Sequence, residues 1–258
     1  MNDVRYEVDQ GVAVITLNRP EVLNALTDGV LTALREALIR AEQDRGVRAV
    51  LLTGAGKGFC AGLDLKSVDP GMLGQIDMHV RRDFNPLILK MQQLPKPILA
   101  AVGGVAAGAG LSLALAADLR IASEDARFVS AFIRIGLVPD SGASYFLPKL
   151  IGVSRAMELA LTGESLDAEK ALQAGLVNRV VPREQLEEAS LAWAQQLAEG
   201  PTYAMALTKR MIYEGAAGSL AEALDREATY QGWAAGSADF TEGVQAFLEK
   251  RKARFQGR

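Results

Sequence analysis

The sequence predicts an α/β fold with a mostly parallel sheet, followed by a helical C-terminal region. Three observations lead there. Short apolar strands alternate with amphipathic helical stretches through the first half of the 258 residues, the pattern of parallel strands joined by crossovers. Gly-rich turns close several of the strands. From about Ser141 helical segments come in close succession, broken by one short strand.

Val12 to Leu17 reads as the first strand, ended by Asn18-Arg19-Pro20. Thr27 can cap a helix whose apolar positions Val30, Leu31, Leu34, Leu38 and Ala41 recur at helical spacing. Val47 to Thr53 is a second strand, apolar enough to be buried on both faces. A Gly-rich loop runs from Gly54 to Gly62, and a mixed helical segment from about Gln75 to Gln93, stopped by Pro95 and Pro97. Ile98 to Val102 is a strand, followed by a Gly-rich turn and a helix from about Leu111. Leu119 to Ala122 and Arg127 to Ala131 read as short strands, and Leu176 to Val181 as one more. Ser219-Leu220-Ala221-Glu222 matches a capping box, and Asp239-Phe240-Thr241-Glu242 offers another helix start.

Composition narrows the chemistry. The chain has one His and one Cys, 28 basic and 31 acidic residues, and a net charge of −3. A disulfide needs two Cys, a structural zinc site usually needs four Cys or His ligands, and a Ser–His–Asp triad would have to run through His79. Proton transfer is therefore expected from Asp, Glu, Lys or Tyr, with no metal. The charge shows no sign of a nucleic-acid partner or an acidic membrane. The uncharged run from Ile98 to Ala117 has the length of a membrane span. It is mostly Ala and Gly, which supply little apolar surface, and it parses better as strand, turn and buried helix. A single free Cys and an N-terminus without a basic-then-apolar pattern lead to the expectation of a cytoplasmic setting.

Three short motifs fail on inspection. A phosphate loop around Gly56-Lys57 would want Gly at 51 and Ser or Thr at 58, where Leu51 and Gly58 stand. Gly108-Ala109-Gly110 lacks the third Gly of a dinucleotide fingerprint, because Leu113 occupies that place. No G-x-S-x-G nucleophile elbow is present around Ser141, since Pro139 and Ala143 occupy the two Gly places.

Five segments belong together: Asn18-Arg19-Pro20; Leu23-Asn24-Ala25-Leu26; Phe59-Cys60-Ala61-Gly62-Leu63-Asp64-Leu65; Gly104-Val105-Ala106-Ala107-Gly108-Ala109-Gly110-Leu111; and Ile135-Gly136-Leu137-Val138-Pro139-Asp140-Ser141-Gly142. In this order they closely resemble the enoyl-CoA hydratase/isomerase (crotonase) superfamily, over nearly the whole chain. The resemblance implies a crotonase spiral of ββα units over residues 1–195 and a helical oligomerisation region over residues 196–258. It also implies a homotrimer or a dimer of trimers. It implies an acyl-CoA substrate, with coenzyme A present only as part of that substrate and no other cofactor. By resemblance, the N–H groups of Leu63 and Ala109 form an oxyanion hole for the thioester. Fixed backbone donors suit that task, because they need no reorganisation as the enolate forms.

The resemblance also marks a departure. The family's hydratases use two Glu residues, and the matching positions here are Ser112 and Phe132. Asp140 stands where hydratases usually have Gly. One carboxylate beside a stabilised enolate can take a proton from one carbon and return it to another, which is isomerisation. Asp140 can also serve as the N-cap of a helix beginning near Ser141, and the two roles are compatible. The segments Ile133 to Gly142, Phe146-Leu147-Pro148, Phe84-Asn85-Pro86-Leu87 and Ser237 to Gly243 look like the 1,2-epoxyphenylacetyl-CoA isomerase branch. That branch converts a ring epoxide to an oxepin and resembles enzymes that shift enoyl-CoA double bonds. Hydratase activity and a non-catalytic CoA-binding homologue stay open as alternatives.

Candidate contacts for the substrate come from the same resemblance: Ala25, Ala61, Asp64, Leu65, Gly108, Phe132, Asn85 and Lys250. Asp64 can equally be a structural loop acceptor, and Asn85 a turn residue before Pro86. Lys250 and its basic neighbours can equally form a solvated helix face. Cys60 is expected to be a small buried residue and not a nucleophile. His79 is expected to be solvated in a mobile segment.

Overall fold

The structure is a computed structural model describing residues 3–67 and 74–258. Its first strand, β1 (Val4–Asp9), pairs antiparallel with β2 (Val12–Leu17) across a turn at Gln10 and Gly11, both at positive φ. Sequence patterning misses β1, an edge strand that is mostly exposed. From β2 the large sheet continues in parallel through β3 (Ala49–Gly54), β5 (Ile98–Val102), β7 (Leu119–Ser123) and β10 (Arg179–Val181). A second sheet orders β4 (Gly58–Cys60), β6 (Val105–Ala107), β8 (Arg127–Val129) and β9 (Ser165–Asp167). The loop expected at 54–62 thus contains β4, and the turn expected after Val102 contains β6. Each has only three residues, too few for a periodic signal.

The expected ββα units are visible in this order. β3 then β4, β5 then β6, and β7 then β8 each place one strand in the large sheet and the next in the small one. The interior strands of the large sheet bury both faces. One face packs on α1 (Asp28–Gln43), α3 (Asn85–Gln93) and α4 (Ala109–Leu115), with Ala13, Ile15, Leu52 and Ala100 in the core. The other face packs Val12, Leu51, Leu99 and Ile121 against α8 (Leu186–Ala198). This explains why β5, Ile-Leu-Ala-Ala-Val, shows no polar alternation. The uncharged run 98–117 becomes β5, β6 and α4, and among the described residues no helix is long and apolar enough to cross a membrane.

Thr27 caps α1 as expected, accepting from the Val30 N–H at 3.3 Å. The helical segment expected over 75–93 is broken into α2 (Ile76–His79), a wide π turn over Val80–Phe84, and α3. Pro86 has no N–H for the Arg82 carbonyl four residues back, so the regular ladder cannot run through this junction.

The expected boundary after residue 195 falls inside α8. The following helix, α9 (Thr202–Gly215), is tied to the large sheet: Lys209 Nζ lies 3.0 Å from Asp118 Oδ2, and the Tyr213 hydroxyl donates to Asp118 Oδ1 at 3.0 Å. Ser219 and Glu222 form the capping box of α10 (Leu220–Ala235). The last helix, α11 (Ala238–Leu248), is capped by Ser237, two residues before the start signal read at Asp239. The Asp239 carboxylate instead accepts from Gln256 N and Gly257 N at 2.6 and 2.7 Å, pinning the C-terminal tail.

Candidate active site

Two backbone turns face each other at one end of the small sheet. The first comes after β4. Leu26 N–H donates to the Gly62 carbonyl at 2.7 Å, and Asp64 N–H donates to the Leu26 carbonyl at 2.8 Å. In such a parallel bridge, the residue between the two bonds turns its own N–H to the opposite side. That residue is Leu63. The second turn comes after β6, where Gly108 leads into Ala109, the first residue of α4. A first-turn N–H has no partner within its own helix. Neither the Leu63 nor the Ala109 N–H meets an acceptor among the described residues.

Two glycines make this approach possible. Gly62 sits at φ +93°, and a Cβ there would lie 2.8 Å from the Ala107 carbonyl oxygen and 3.5 Å from the Ala109 nitrogen. A Cβ on Gly110 would lie 2.2 Å from the Cys60 carbonyl oxygen. The oxygen contact in each case is closer than a side chain tolerates, so glycine at both positions lets the two turns meet.

Asp140 enters from a third element. After β8 a short 3-10 turn, Ala131–Ile135, carries the chain past the same place. Ser141 and Gly142, at φ 51° and 83°, then turn it into α5 (Ala143–Ile151). The N-cap of α5 is Gly142, so Asp140 does not take the capping role open to it in the sequence. Its carbonyl accepts from Ala143 N and from Ser112 Oγ, both at 3.0 Å, and its carboxylate Oδ1 accepts from Ser141 Oγ at 2.9 Å. Burial pushes the Asp140 carboxyl above its ordinary pKa, opposed by the Ser141 hydroxyl bond and by the nearby His79 ring.

Leu63, Ala109 and Asp140 line one cavity of about 230 Å³, together with Ala61, Leu65, Gly108 and Phe132. The remaining expected contacts lie elsewhere. Ala25 and Asp64 are joined behind the first turn by Arg19, whose guanidinium donates to the Ala25 carbonyl at 2.7 Å and to Asp64 Oδ2 at 3.0 Å. Asp64 is thus a loop acceptor in this structure, and Arg19, to which the sequence reading gave no role of its own, holds the loop. Asn85 is exposed at the start of α3 and does not line the cavity, whereas its neighbour Phe84 does. Lys250 is exposed beyond α11 and is not in the cavity wall. Cys60 is fully buried, and burial pushes its thiol up to about 12, which suppresses the thiolate.

His79 overturns its expectation. It is 5% exposed and lines the cavity, with Nε2 2.9 Å from Asp28 Oδ1 and 3.4 Å from Asp83 Oδ2. Sequence pattern missed this because its nearest anchor arrives by folding: Asp28 lies 51 residues away in the chain. Asp28, His79 and Asp83 could in principle ligate a metal ion. The Arg82 guanidinium already lies 2.8 Å from Asp83 Oδ2 and 3.6 Å from Asp28 Oδ2, supplying the positive charge those carboxylates need.

Ser112 is the other residue whose part only folding shows. It is fully buried, and its hydroxyl reaches both the Gly108 carbonyl, at 3.4 Å, and the Asp140 carbonyl. It joins the second turn to the carboxylate loop. Chemically, the cavity brings together two residues whose N–H groups have no acceptor among the described residues and one partly buried carboxylate in a largely apolar wall.

Comparison with known proteins gives the family and the fold. Residues 7–258 match the family model described as enoyl-CoA hydratase/isomerase. The chain is 45% identical to a 1,2-epoxyphenylacetyl-CoA isomerase of Escherichia coli (strain K12), with all of both chains covered. It is 46% identical to a probable enoyl-CoA hydratase of Rhodobacter capsulatus, covering 99% of this chain and 98% of the other. The crystal structure of a putative enoyl-CoA hydratase/isomerase from Mycobacterium abscessus superposes with a TM-score of 0.94 at 40% identity, covering 99% of this chain and 100% of that one. Sequence motifs, the ββα architecture and these full-length matches converge on one conclusion: the chain has the crotonase fold and belongs to the enoyl-CoA hydratase/isomerase family.

Proposed function

We propose that this protein is an isomerase of acyl-CoA thioesters, with Asp140 as the proton-transfer group and the Leu63 and Ala109 N–H groups as the oxyanion hole. One observation carries the reading: among the described residues lining the cavity, Asp140 is the only carboxylate. The thioester oxygen accepts from the two N–H groups. Asp140 removes a proton from carbon, and the electron pair moves into the enolate held by those donors. The same carboxyl returns the proton to a different carbon, so no water, metal or redox partner enters the balance. Hydration would need a second group to activate water, and Ser112 and Phe132 supply none.

The acyl group we favour is 1,2-epoxyphenylacetyl, supported by a 45% identical relative named as the isomerase of that thioester. Its ring C–C bond between the two epoxide carbons opens to give the seven-membered oxepin as the proton moves from the α-carbon to a ring carbon. A plain enoyl group undergoing a double-bond shift is the second candidate. We also propose a homotrimer or a pair of trimers, with residues 196–258 at the subunit interfaces.

Asp140→Asn tests the assignment. The variant is expected to lose isomerase turnover by about 100- to 10,000-fold, the usual range for a general acid–base group, while still binding a CoA thioester by calorimetry. Unchanged turnover would overturn the role of Asp140. Rapid formation of a 3-hydroxyacyl product from crotonyl-CoA by the wild type would point to the hydratase reading instead.

A further inference from the structure

His79 is a buried titratable group that the proposed proton transfer does not use. It ends α2 with its ring packed edge-on to Phe84, the centroids 5.4 Å apart, and both residues line the cavity. Its Nε2 is engaged by Asp28 and Asp83. The two nitrogens of an imidazole point away from each other, so the Nδ1 edge turns away from those carboxylates. Among the described residues, Nδ1 has no hydrogen-bond partner, and it is not one of the fully enclosed unpaired atoms.

The rest of the cavity makes that edge unusual. Its wall is largely apolar, and besides His79 the charged side chains lining it are Asp140 and Arg134. Arg134 already donates to the Gly163 carbonyl at 2.6 Å. A site shaped only for hydrocarbon would be better served by Leu or Phe at position 79, because a dry ligand strips water from Nδ1 and leaves it unpaired. An oxygen on the ligand removes that cost. With a proton on both nitrogens, Nδ1 donates to an ether, epoxide or carbonyl oxygen. With the proton on Nε2 alone, it accepts from a hydroxyl.

We propose that His79 is a specificity-determining residue: its Nδ1 edge pairs with an oxygen carried by the acyl group beyond the thioester, so the cavity prefers oxygenated acyl groups to plain hydrocarbon ones. This rests on reading the cavity as the acyl site. Two unreactive probes test it by calorimetry, phenylacetyl-CoA and its ring-hydroxylated analogue 2-hydroxyphenylacetyl-CoA. The wild type is expected to bind the hydroxylated thioester about tenfold more tightly, the effect of one paired polar group. His79→Leu should abolish that preference and leave affinity for the unsubstituted thioester within about threefold. His79→Gln, whose amide can still pair, should keep part of it, and circular dichroism checks that both variants fold.

Equal weakening of both thioesters in His79→Leu would overturn the proposal, leaving His79 as a wall residue only. So would a wild type with no preference. A clear preference in a protein without isomerase turnover would uphold the inference and reject the proposed reaction. Binding of neither thioester would overturn both.

Discussion

Asp140 works against the stability of the fold that buries it. Burial raises its carboxyl above the ordinary value, so the folded protein holds that proton more tightly than the unfolded chain does. The stability it contributes is therefore complete below the unfolded pKa, near about 3.9, and is lost as pH rises through the raised folded value. At neutral pH, Asp140→Asn should melt at a higher temperature than the wild type, and the gap should shrink on acidification. The proposed catalysis has the opposite need, because abstraction requires the carboxylate. The rate should fall on the acid side through a pKa raised above the ordinary aspartate value, and a profile flat down to about pH 4 would contradict this. Ser112 donates to the Asp140 main-chain carbonyl at 3.0 Å, which under the proposed reaction makes it a positioning residue. Ser112→Ala should lower kcat by about 3- to 10-fold, the worth of one modest hydrogen bond, with KM unchanged and the acid limb displaced. An effect on KM alone would reduce Ser112 to a packing role.

At the scale of elements, the proposed oxyanion pair depends on how closely α4 approaches the turn after β4. Helix propensity alone favours Ala over Gly by about 1 kcal/mol. At Gly110 that preference loses, because a Cβ would meet the Cys60 carbonyl at 2.2 Å. Gly110→Ala should destabilise the protein by about 1–3 kcal/mol or more and displace the Ala109 N–H. At Gly29, in α1, a Cβ would meet only Thr27 Oγ1 at 3.8 Å, so Gly29→Ala serves as the matched control and should be neutral or stabilising. Urea unfolding of both variants, read beside turnover, separates propensity from approach. β4 and β6 show the limit of pattern reading at this scale. Three-residue strands carry no period, and their place is set by the sheet they join.

For the whole molecule, the C-terminal helices leave large apolar side chains in solvent: Phe247 is 83% exposed, Leu248 74% and Ile212 62%. Large exposed apolar side chains such as these are what burial against a partner would stabilise. The proposed assembly predicts a sedimenting species of three or six chain masses, and Phe247→Glu should shift it towards monomer. A wild type that sediments as a monomer would contradict it. The anchoring of α9 through Lys209, Tyr213 and Asp118 predicts that the C-terminal region stays docked in that monomer.

Much of the molecule was legible from residue order. The strand–helix alternation, the Thr27 and Ser219 caps, the two Gly-rich turns and Asp140 are local features, set by propensity, backbone freedom and spacing within a few positions. Sequence alone, through its motifs, determined the family and, through its single Cys, excluded a disulfide within the chain. What only the tertiary structure decided are the partnerships between distant residues: Arg19 with Asp64, Ser112 with Asp140, and His79 with Asp28 at the cavity wall. Each joins groups 28 to 51 positions apart. A hydrogen bond fixes a pair only when packing brings donor and acceptor within about 3 Å, and no local pattern along the chain records that meeting.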